Sequence, residues 1–416
     1  MAVLVKGGGC KPEEEKTITA ETSAIEITPT TGKVIKKVTV NPTPSQSKTV
    51  TPTADGVTVN PDDGKLLSSV EVDGDANLIA DNIKNGVSIF GVTGTSKGGF
   101  PNGTEWTQSN KTSGDFSSVY YANGIWVAST RSGTSSWYST DGKTWAYSNI
   151  ENYTHSVYYA NGIWVIGSSS KGLYYSTDGV TWAKSNIKSG SFYSVYNANG
   201  IWFAGGNSST PSYYSTDGKT WTWINTLPYK HYIVYNANGI WVAGDYDDST
   251  GLYYSTDGVT WTKSNITSEK FKSVYNANGI WVAGSSSNGI YYSTDGVTWT
   301  QSNITSGYFC SVYNANGIWV IGSSSNGLYY STDGITWTQS NITSGHFCSA
   351  YNANGIWVAG SGGSSGIYYS TDGITWTQSN ITSYSFSTFY NANGIWVAGS
   401  NGTNGALYSV TWEPTA

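Results

Sequence analysis

The sequence predicts an all-β fold, in which residues 101–416 form an eight-bladed β-propeller with four-stranded blades. Three observations predict it: a tryptophan-containing phrase that recurs eight times, four short β-rich runs in each repeat, and an incomplete repeat at either end of the repeated region. Repeats of about 40 residues with four strands are typical of propeller blades. One such unit cannot bury its own apolar faces, so the units are expected to stack in a closed circle.

Two phrases mark the repeat. The phrase NGIWV, or its variant NGIWF, occurs eight times with its tryptophans 38 to 40 residues apart, and YSTDGxTW occurs seven times. Every repeat except the last therefore carries both phrases. The tryptophans of the first phrase are Trp126, Trp164, Trp202, Trp241, Trp281, Trp319, Trp357 and Trp396, and those of the second are Trp145, Trp182, Trp221, Trp261, Trp299, Trp337 and Trp376.

Each repeat contains four strand signals. The repeat from Phe309 to Asn341 reads FCSVYNA, a turn at NG, IWVIGSS, a loop, GLYY, a turn at STDG, and ITWTQSN. Asn-Gly and Asp-Gly between β-rich runs favour tight hairpins, because these residues accept positive φ at low cost. Runs such as IWVAG are apolar at consecutive positions, which indicates strands covered on both faces, as in stacked blades.

The two incomplete repeats complement each other. Residues 103–110, GTEWTQSN, match a fourth strand that no first three strands precede. At the other end, ALYSVTWEPTA has lost the TDG turn, so residues 408–412 are expected to continue as one third strand. We therefore predict that the strand around Trp106 completes the eighth blade, which closes the circle and removes exposed sheet edges.

Composition argues against several classes of partner. The formal net charge is −6 and the 21 basic residues are scattered, so no patch for nucleic acid is expected. No apolar run approaches the roughly 20 residues of a membrane-spanning helix. The opening MAVLVKGGG has no basic leader followed by a long apolar stretch, so we expect synthesis in the cytoplasm without a signal peptide. Cys10 is expected to be a free thiol.

The YSTDGxTW phrase resembles the Asp-box of sialidase-type β-propellers, although it is one residue shorter between Asp and Gly. The resemblance implies a hairpin between the third and fourth strands, remote from any active site. We expect its aspartate to cap that hairpin through bonds to backbone amides. These aspartates are Asp141, Asp178, Asp217, Asp257, Asp295, Asp333 and Asp372.

A second repeat, of 32 residues, precedes the propeller. KTITAETSAIEITPTTGKVIKKVTVNP, from Lys16, aligns without gaps to KTVTPTADGVTVNPDDGKLLSSVEVDG, from Lys48. With DANLIADNIKNGVSIFGVTGT, these segments resemble modules of tail and other virion proteins of phages and prophages of gut Gram-positive bacteria. The predicted division is a leader (1–15), two small β-modules (16–47 and 48–74), and a short helix (75–83), a strand (87–92) and a hinge within 75–100.

Catalysis is not expected. A sialidase-like enzyme needs an arginine cluster for the substrate carboxylate, and the chain has one arginine, Arg131. Outside the turn aspartates, the carboxylates of the propeller are scattered over different blades. They are Glu105, Asp115, Glu151, Asp245, Asp247, Asp248, Glu269 and Glu413. A pair spaced for glycoside cleavage stays open as an alternative, but we predict no catalytic residues and no cofactor.

Metal sites are not expected either. Cys310, His346 and Cys348 come from neighbouring blades but lack a fourth ligand at recognisable spacing. The acidic loop at 245–248 lacks the spacing of an EF-hand. His155, His231 and His346 are each expected to be solvated at the rim. Cys310 and Cys348 are predicted to be free thiols, because adjacent inner strands are expected to lie beyond the roughly 7 Å Cα limit for a disulfide.

Variation between the copies indicates a binding face. The NANG and STDG turns barely change and share one face, whereas the loops of the opposite face vary. One position near the start of the innermost strand also varies and should surround the mouth of the central channel: Ser117, His155, Tyr193, Tyr232, Lys272, Cys310, Cys348 and Ser387. Two explanations of this variation stay open: neutral sequence drift of residues that face a water-filled channel, and recognition of a ligand. The candidate ligand-binding residues are Arg131, Trp137, Tyr193, Trp223, Tyr229, Tyr232, Tyr246 and Asp247.

The resemblance and the variable face together suggest a tail-fibre-like phage virion protein. Residues 1–100 are expected to attach it to other virion proteins, and the propeller to bind a glycan of the host surface or environment. One alternative is a structural or decoration protein whose propeller contacts other virion subunits. Another is a glycan-processing enzyme. The oligomeric state stays open, including a homo-oligomer.

Overall fold

The computed structural model describes strands within residues 2–93 and the residues 103–410, apart from 132–134, 208, 229, 246–249, 364 and 401–404. The chain divides into two compact units, residues 1–100 with 411–416, and residues 101–410. In the described parts, no helix is long and apolar enough to span a membrane.

The described strands of the first unit form three sheets. A four-stranded sheet has the order Ile25–Ile27, Ala2–Val5, Ser69–Val72, Val57–Val59; a three-stranded sheet has the order Glu13–Thr19, Val34–Asn41, Lys48–Val50; and Ser88–Ile89 pairs with Val92–Thr93. The segment expected as one strand at 87–92 thus contributes to an antiparallel hairpin. The helix expected at 75–83 lies outside the described residues. The division into two modules stays a prediction.

The second unit is the expected eight-bladed propeller, with eight four-stranded antiparallel sheets. We number the blades from residue 116 and the strands of each blade outward from the channel. The first strands are Phe116–Ala122, Thr154–Ala160, Phe192–Ala198, His231–Ala237, Phe271–Ala277, Phe309–Ala315, Phe347–Ala353 and Phe386–Ala392. The second strands are Ile125–Thr130, Ile163–Ser168, Ile201–Gly206, Ile240–Asp245, Ile280–Ser285, Ile318–Ser323, Ile356–Ser361 and Ile395–Ser400.

The outer two strands are shorter in every blade except blade 1, whose fourth strand has six residues, as many as its second. The third strands are Ser135–Ser139, Leu173–Ser176, Tyr213–Ser215, Leu252–Ser255, Ile290–Ser293, Leu328–Ser331, Ile367–Ser370 and Ala406–Val410. The fourth strands of blades 1 to 7 are Ala146–Glu151, Ala183–Lys184, Thr222–Trp223, Thr262–Lys263, Thr300–Gln301, Thr338–Gln339 and Thr377–Gln378, and that of blade 8 is Thr107–Gln108.

The Asn-Gly turn adopts the expected conformation, whereas in the STDG turn only the glycine has positive φ. In the NANG turn, Asn123 and Gly124 have φ of 50° and 79°, and the other seven copies repeat this pair of positive values. In the STDG turn, Asp141 Oδ1 accepts hydrogen bonds from the amides of Lys143 (2.8 Å) and Thr144 (2.6 Å). Partial burial alone would raise the pKa of Asp141, but these hydrogen bonds hold it below its ordinary value. The predicted capping role of the turn aspartates is confirmed.

An asparagine clamp joins each blade to the next at the outer edge. Asn303, just after the fourth strand of blade 5, accepts a hydrogen bond from the amide of Trp337 in blade 6 (2.8 Å) and donates one to its carbonyl (2.9 Å). Thr226 replaces the asparagine once and accepts a bond from the amide of Trp261. The other clamps are Asn110–Trp145, Asn149–Trp182, Asn186–Trp221, Asn265–Trp299, Asn341–Trp376 and Asn380–Trp106.

The circle closes through the strand that precedes blade 1. Thr107 and Gln108 pair with Tyr408 and Leu407 of the last third strand, as predicted. The Trp106 side chain is 3% exposed and packs edge-on against Trp396 of the same blade, with ring centroids 6.4 Å apart. Residues 411 and 412, the end of the strand expected there, lie outside the described residues.

Blade 4 departs from the repeat inside its core. His231, expected at the solvated rim, is fully buried, because it occupies the position at the start of the first strand that phenylalanine fills in six other blades. Its Nδ1 lies 2.9 Å from the carbonyl oxygen of Pro228. Burial lowers the pKa of His231 to about 4, so its imidazole is neutral near pH 7.

Deletion of residues 101–110 should lower the melting temperature sharply. It removes a buried tryptophan, worth about 3–5 kcal/mol when lost from a core, and exposes the edge of the last third strand. The single substitution Trp106→Ala should give part of this loss, whereas Thr107→Ala, at an exposed side chain, should give little. The melting temperatures are measured by thermal unfolding followed by circular dichroism. A deletion variant with the melting temperature of the parent would contradict closure of the propeller by this strand.

Candidate ligand-binding site

Every blade has a β-bulge at the start of its first strand. In blade 1, Phe116 pairs with Thr130 and Ser118 with Ser129, so that Ser117 has no partner in the ladder. A bulge of this kind redirects the side chain of its extra residue. The same shift recurs in the other seven blades. We call the eight extra residues the bulge ring: Ser117, His155, Tyr193, Tyr232, Lys272, Cys310, Cys348 and Ser387.

Close contact between adjacent blades accompanies the bulge. In blades 2 to 8, the penultimate residue of the second strand is a glycine, and the first residue of the next blade's inner strand packs onto it. A Cβ added at Gly284 would lie 2.7 Å from the carbonyl oxygen of Phe309, and one at Gly167 would lie 2.6 Å from that of Phe192. Any larger residue would therefore push neighbouring blades apart. The inner strands converge where the bulge ring lies.

A cavity of about 700 Å³ opens at this point. All eight blades contribute to its lining, and seven of the eight bulge-ring residues belong to it. Because the inner strands start on the face that carries the variable loops, the cavity lies at that mouth of the channel, as predicted. The lining residues are Arg131, His155, Tyr193, Tyr232, Ile233, Lys272, Tyr308, Cys310, His346, Cys348, Gly362, Phe386 and Ser387.

Blades 2 to 4 provide an aromatic wall. The His155 and Tyr193 rings are stacked, with centroids 4.0 Å apart and planes inclined by 19°, and Tyr232 lies 4.8 Å beyond Tyr193. Tyr193 is 38% exposed, which leaves ring surface available to a ligand. Burial, helped by the charge of Arg131, lowers the pKa of His155 to about 4. The wall is thus uncharged near neutral pH.

Basic side chains reach the cavity from two blades. Arg131 follows the second strand of blade 1, and Lys272 is the bulge-ring residue of blade 5, with its Nζ 5.3 Å from the centre of the Tyr308 ring. Burial lowers the pKa of Lys272 to about 7. No aspartate or glutamate is among the described residues that line the cavity. The lining therefore favours negatively charged groups.

Blades 6 and 7 place two cysteines side by side. Cys310 and Cys348 form a disulfide, and their Cα atoms are 5.0 Å apart. The prediction of two free thiols is therefore wrong. It assumed that equivalent positions of neighbouring inner strands diverge beyond about 7 Å, whereas the contact of blades at the glycines brings them together. His346 Nε2 lies 2.9 Å from Cys348 Sγ, so His346 also belongs to the cavity wall and not to a solvated rim.

The two serines of the bulge ring bond to the next blade, and of these two only Ser387 also lines the cavity. Ser387 Oγ donates to the carbonyl oxygen of Phe116 at 2.6 Å, and Ser117 Oγ donates to that of Thr154 at 3.1 Å. A small hydroxyl at this position therefore satisfies the backbone of the neighbouring strand. Larger side chains at the same position line the cavity.

A second circle of residues, which sequence analysis missed, lies three positions further along the inner strands. Eight tyrosines contact each other around the channel, with neighbouring centroids 4.8 to 5.8 Å apart. Burial and neighbouring tyrosines raise the pKa of several of them, including Tyr158 and Tyr313. The recurrence of tyrosine at one position of every repeat could have predicted this circle. They are Tyr120, Tyr158, Tyr196, Tyr235, Tyr275, Tyr313, Tyr351 and Tyr390.

The structure brings together three of the predicted ligand-binding residues, Arg131, Tyr193 and Tyr232. Trp137 is 9% exposed and is covered by Tyr147, with ring centroids 3.8 Å apart, which leaves little of it for a ligand. Trp223 is 53% exposed, but it lies in a fourth strand, at the outer edge of blade 3 and away from the channel. The remaining candidates, Tyr229, Tyr246 and Asp247, lie outside the described residues.

Solved structures with the same fold come from varied sources. A computationally designed protein matches with a TM-score of 0.60 and 10% identity, over 74% of this chain and 100% of that one. BamB from Moraxella catarrhalis matches with 0.54 and 11%, over 75% and 99%. YCF48 from Cyanidioschyzon merolae matches with 0.51 and 14%, over 74% and 98%. At these identities the likeness shows the fold alone.

No protein-family model matches the chain, and no curated protein matches it significantly.

Proposed function

We propose that the propeller binds an acidic glycan in the cavity at the channel mouth, and that residues 1–100 attach the chain to a phage-type virion. Glycan binding is supported by the lining of the cavity, which combines aromatic rings and basic side chains. The second part rests on the sequence of the tandem 32-residue segments.

The aromatic wall suits a sugar. The C–H face of a pyranose packs against an aromatic ring while its hydroxyls bond to polar groups at the edge, and Tyr193, Tyr232 and Tyr308 combine a ring with a hydroxyl. The cavity volume of about 700 Å³ lies within the range of about 300–1,000 Å³ usual for sites that enclose small ligands. A short oligosaccharide segment is thus a better match than a single small ion.

The placement of the basic residues favours an acidic sugar. Arg131 comes from blade 1 and Lys272 from blade 5, which are opposite each other in a circle of eight. The aromatic wall of blades 2 to 4 occupies the arc between them. A chain lying along this wall would meet a basic group near each end, which suits carboxylates or phosphates of a surface polysaccharide.

The virion assignment gives the two units different tasks. An N-terminal region fixed to a particle would leave the propeller to contact the glycan. The competing assignment, a decoration protein, would make the propeller contact other virion subunits. Cryo-electron microscopy of the particle separates them, because a propeller engaged by neighbouring subunits would have its channel mouth covered, whereas a glycan-binding propeller should have it open.

Binding to an array of neutral and acidic glycans tests the proposed ligand class. The protein should bind acidic members, and Tyr193→Ala, Tyr232→Ala and Arg131→Ala should each weaken binding about tenfold or more, a loss of about 1.4 kcal/mol. Trp223→Ala removes a more exposed aromatic residue of blade 3 outside the cavity and should leave the affinity unchanged.

Three outcomes would contradict this proposal. Binding that survives loss of Tyr193 and Tyr232 but not of Trp223 would move the site to the outer edge of the blade. If the propeller binds other virion subunits but no glycan, the protein is better explained as a decoration protein. Hydrolysis of a bound polysaccharide would favour the glycan-processing enzyme. Circular dichroism of each variant must match the parent.

The affinity should also depend on pH through Lys272. Because the pKa of Lys272 is about 7, raising the pH from about 6 to about 8 removes its charge and should weaken binding of the acidic glycan. An arginine stays charged throughout this interval, so Lys272→Arg should bind with nearly constant affinity. Titration calorimetry at several pH values measures the affinities of the parent and of Lys272→Arg. An equal pH dependence of the two affinities would contradict a role for Lys272.

A further inference from the structure

Blade 7 differs from blade 6 at two positions that meet in space. The residue before the first strand is Tyr308 in blade 6 and His346 in blade 7, and the loop after the second strand has Ser324 in blade 6 and Gly362 in blade 7. A Cβ added at Gly362 would lie 2.6 Å from His346 Nδ1. The glycine thus makes room for the imidazole in this position.

The imidazole reaches the two cysteines of the bulge ring. The sulfur atoms of Cys310 and Cys348 and a ring nitrogen of His346 all lie within 4.8 Å of one another. In the described part of the propeller, no other cluster of three such donors is found. Two thiolates and one imidazole are a ligand set typical of Zn²⁺, with donor separations of roughly 3.3–3.8 Å in a tetrahedral site. Small side-chain rotations suffice to reach these separations once the sulfurs are no longer bonded.

The surroundings leave a fourth coordination position. The three residues are half-buried and line the cavity, so one side of the cluster is open to it. Three protein ligands with one open position are the arrangement in which Zn²⁺ also holds water or a ligand group. Cys310 and Cys348 both lie on inner strands held by adjacent blades, which fixes the backbone of the site.

We propose that Cys310, His346 and Cys348 bind one Zn²⁺ when the two cysteines are reduced, and that the disulfide is the alternative, metal-free state. An external dithiol supplies two electrons, is itself oxidised to a disulfide, and leaves Cys310 and Cys348 as thiols. Each thiol loses its proton on binding the metal. An external disulfide that accepts two electrons would restore the bond and release Zn²⁺. Metal binding at this site does not require the proposed glycan.

Cobalt substitution in the full chain tests the proposal. Cys10→Ser serves as the parent, because it removes the only cysteine outside the cluster. The protein is reduced with a phosphine, desalted without oxygen, and titrated with Co²⁺ and then Zn²⁺. A thiol-specific reagent should detect two free thiols per chain. One equivalent of Co²⁺ should bind and give the absorption of thiolate-to-metal charge transfer. Added Zn²⁺ should displace the Co²⁺ and remove this absorption.

Variants and the oxidised form complete the test. The oxidised protein should show no thiolate-supported binding. Cys348→Ser, which keeps only Cys310 and His346, and His346→Ala should each bind Zn²⁺ at least about tenfold more weakly. The proposal is overturned if the folded protein shows two free thiols but takes up no metal, or if its cysteines cannot be reduced without unfolding. Binding that persists unchanged in Cys348→Ser would overturn it as well.

Discussion

The structure depends on the close approach of neighbouring blades at the inner strands. In seven of the eight blades a glycine of the second strand lets the next inner strand begin in direct contact with it. In blade 1 the corresponding residue is Ser129, and there the next strand starts with Thr154 and not with the phenylalanine found in most blades. At this junction the amide of Thr130 donates a hydrogen bond to Thr154 Oγ1 at 3.0 Å, a contact that phenylalanine cannot make.

This contact separates the scaffold from the residues that vary. The first residue of each inner strand is held in the core, and the bulge lets the second side chain project to the channel. A serine there bonds to the neighbouring blade, as Ser387 does, whereas tyrosine, lysine or histidine presents a larger side chain to the cavity. Exchanges at this position change the chemistry of the channel mouth without altering the core. That is how eight nearly identical blades produce a cavity with distinct sides.

Local signals were enough to predict most of the fold. Asn-Gly determines a two-residue hairpin, and the STDG phrase marks the longer loop between the third and fourth strands. The direction of the inner strand puts its start on the variable face. The disulfide was missed because the distance between Cys310 and Cys348 depends on packing between blades, which no local pattern reports. His231 was misplaced although it aligns with phenylalanine in the repeat. Trp137 and Trp223 were chosen for being unusual, but the third and fourth strands lie away from the channel.

One variant tests directly whether the bulge ring carries recognition while the scaffold carries stability. Six bulge-ring residues are replaced by serine, the residue already present in blades 1 and 8, and parent and variant are compared in reducing, metal-free buffer to remove the contribution of the disulfide. We expect a melting temperature within a few degrees of the parent and no glycan binding. A variant that fails to fold, or one that still binds, would contradict it. The replaced residues are His155, Tyr193, Tyr232, Lys272, Cys310 and Cys348.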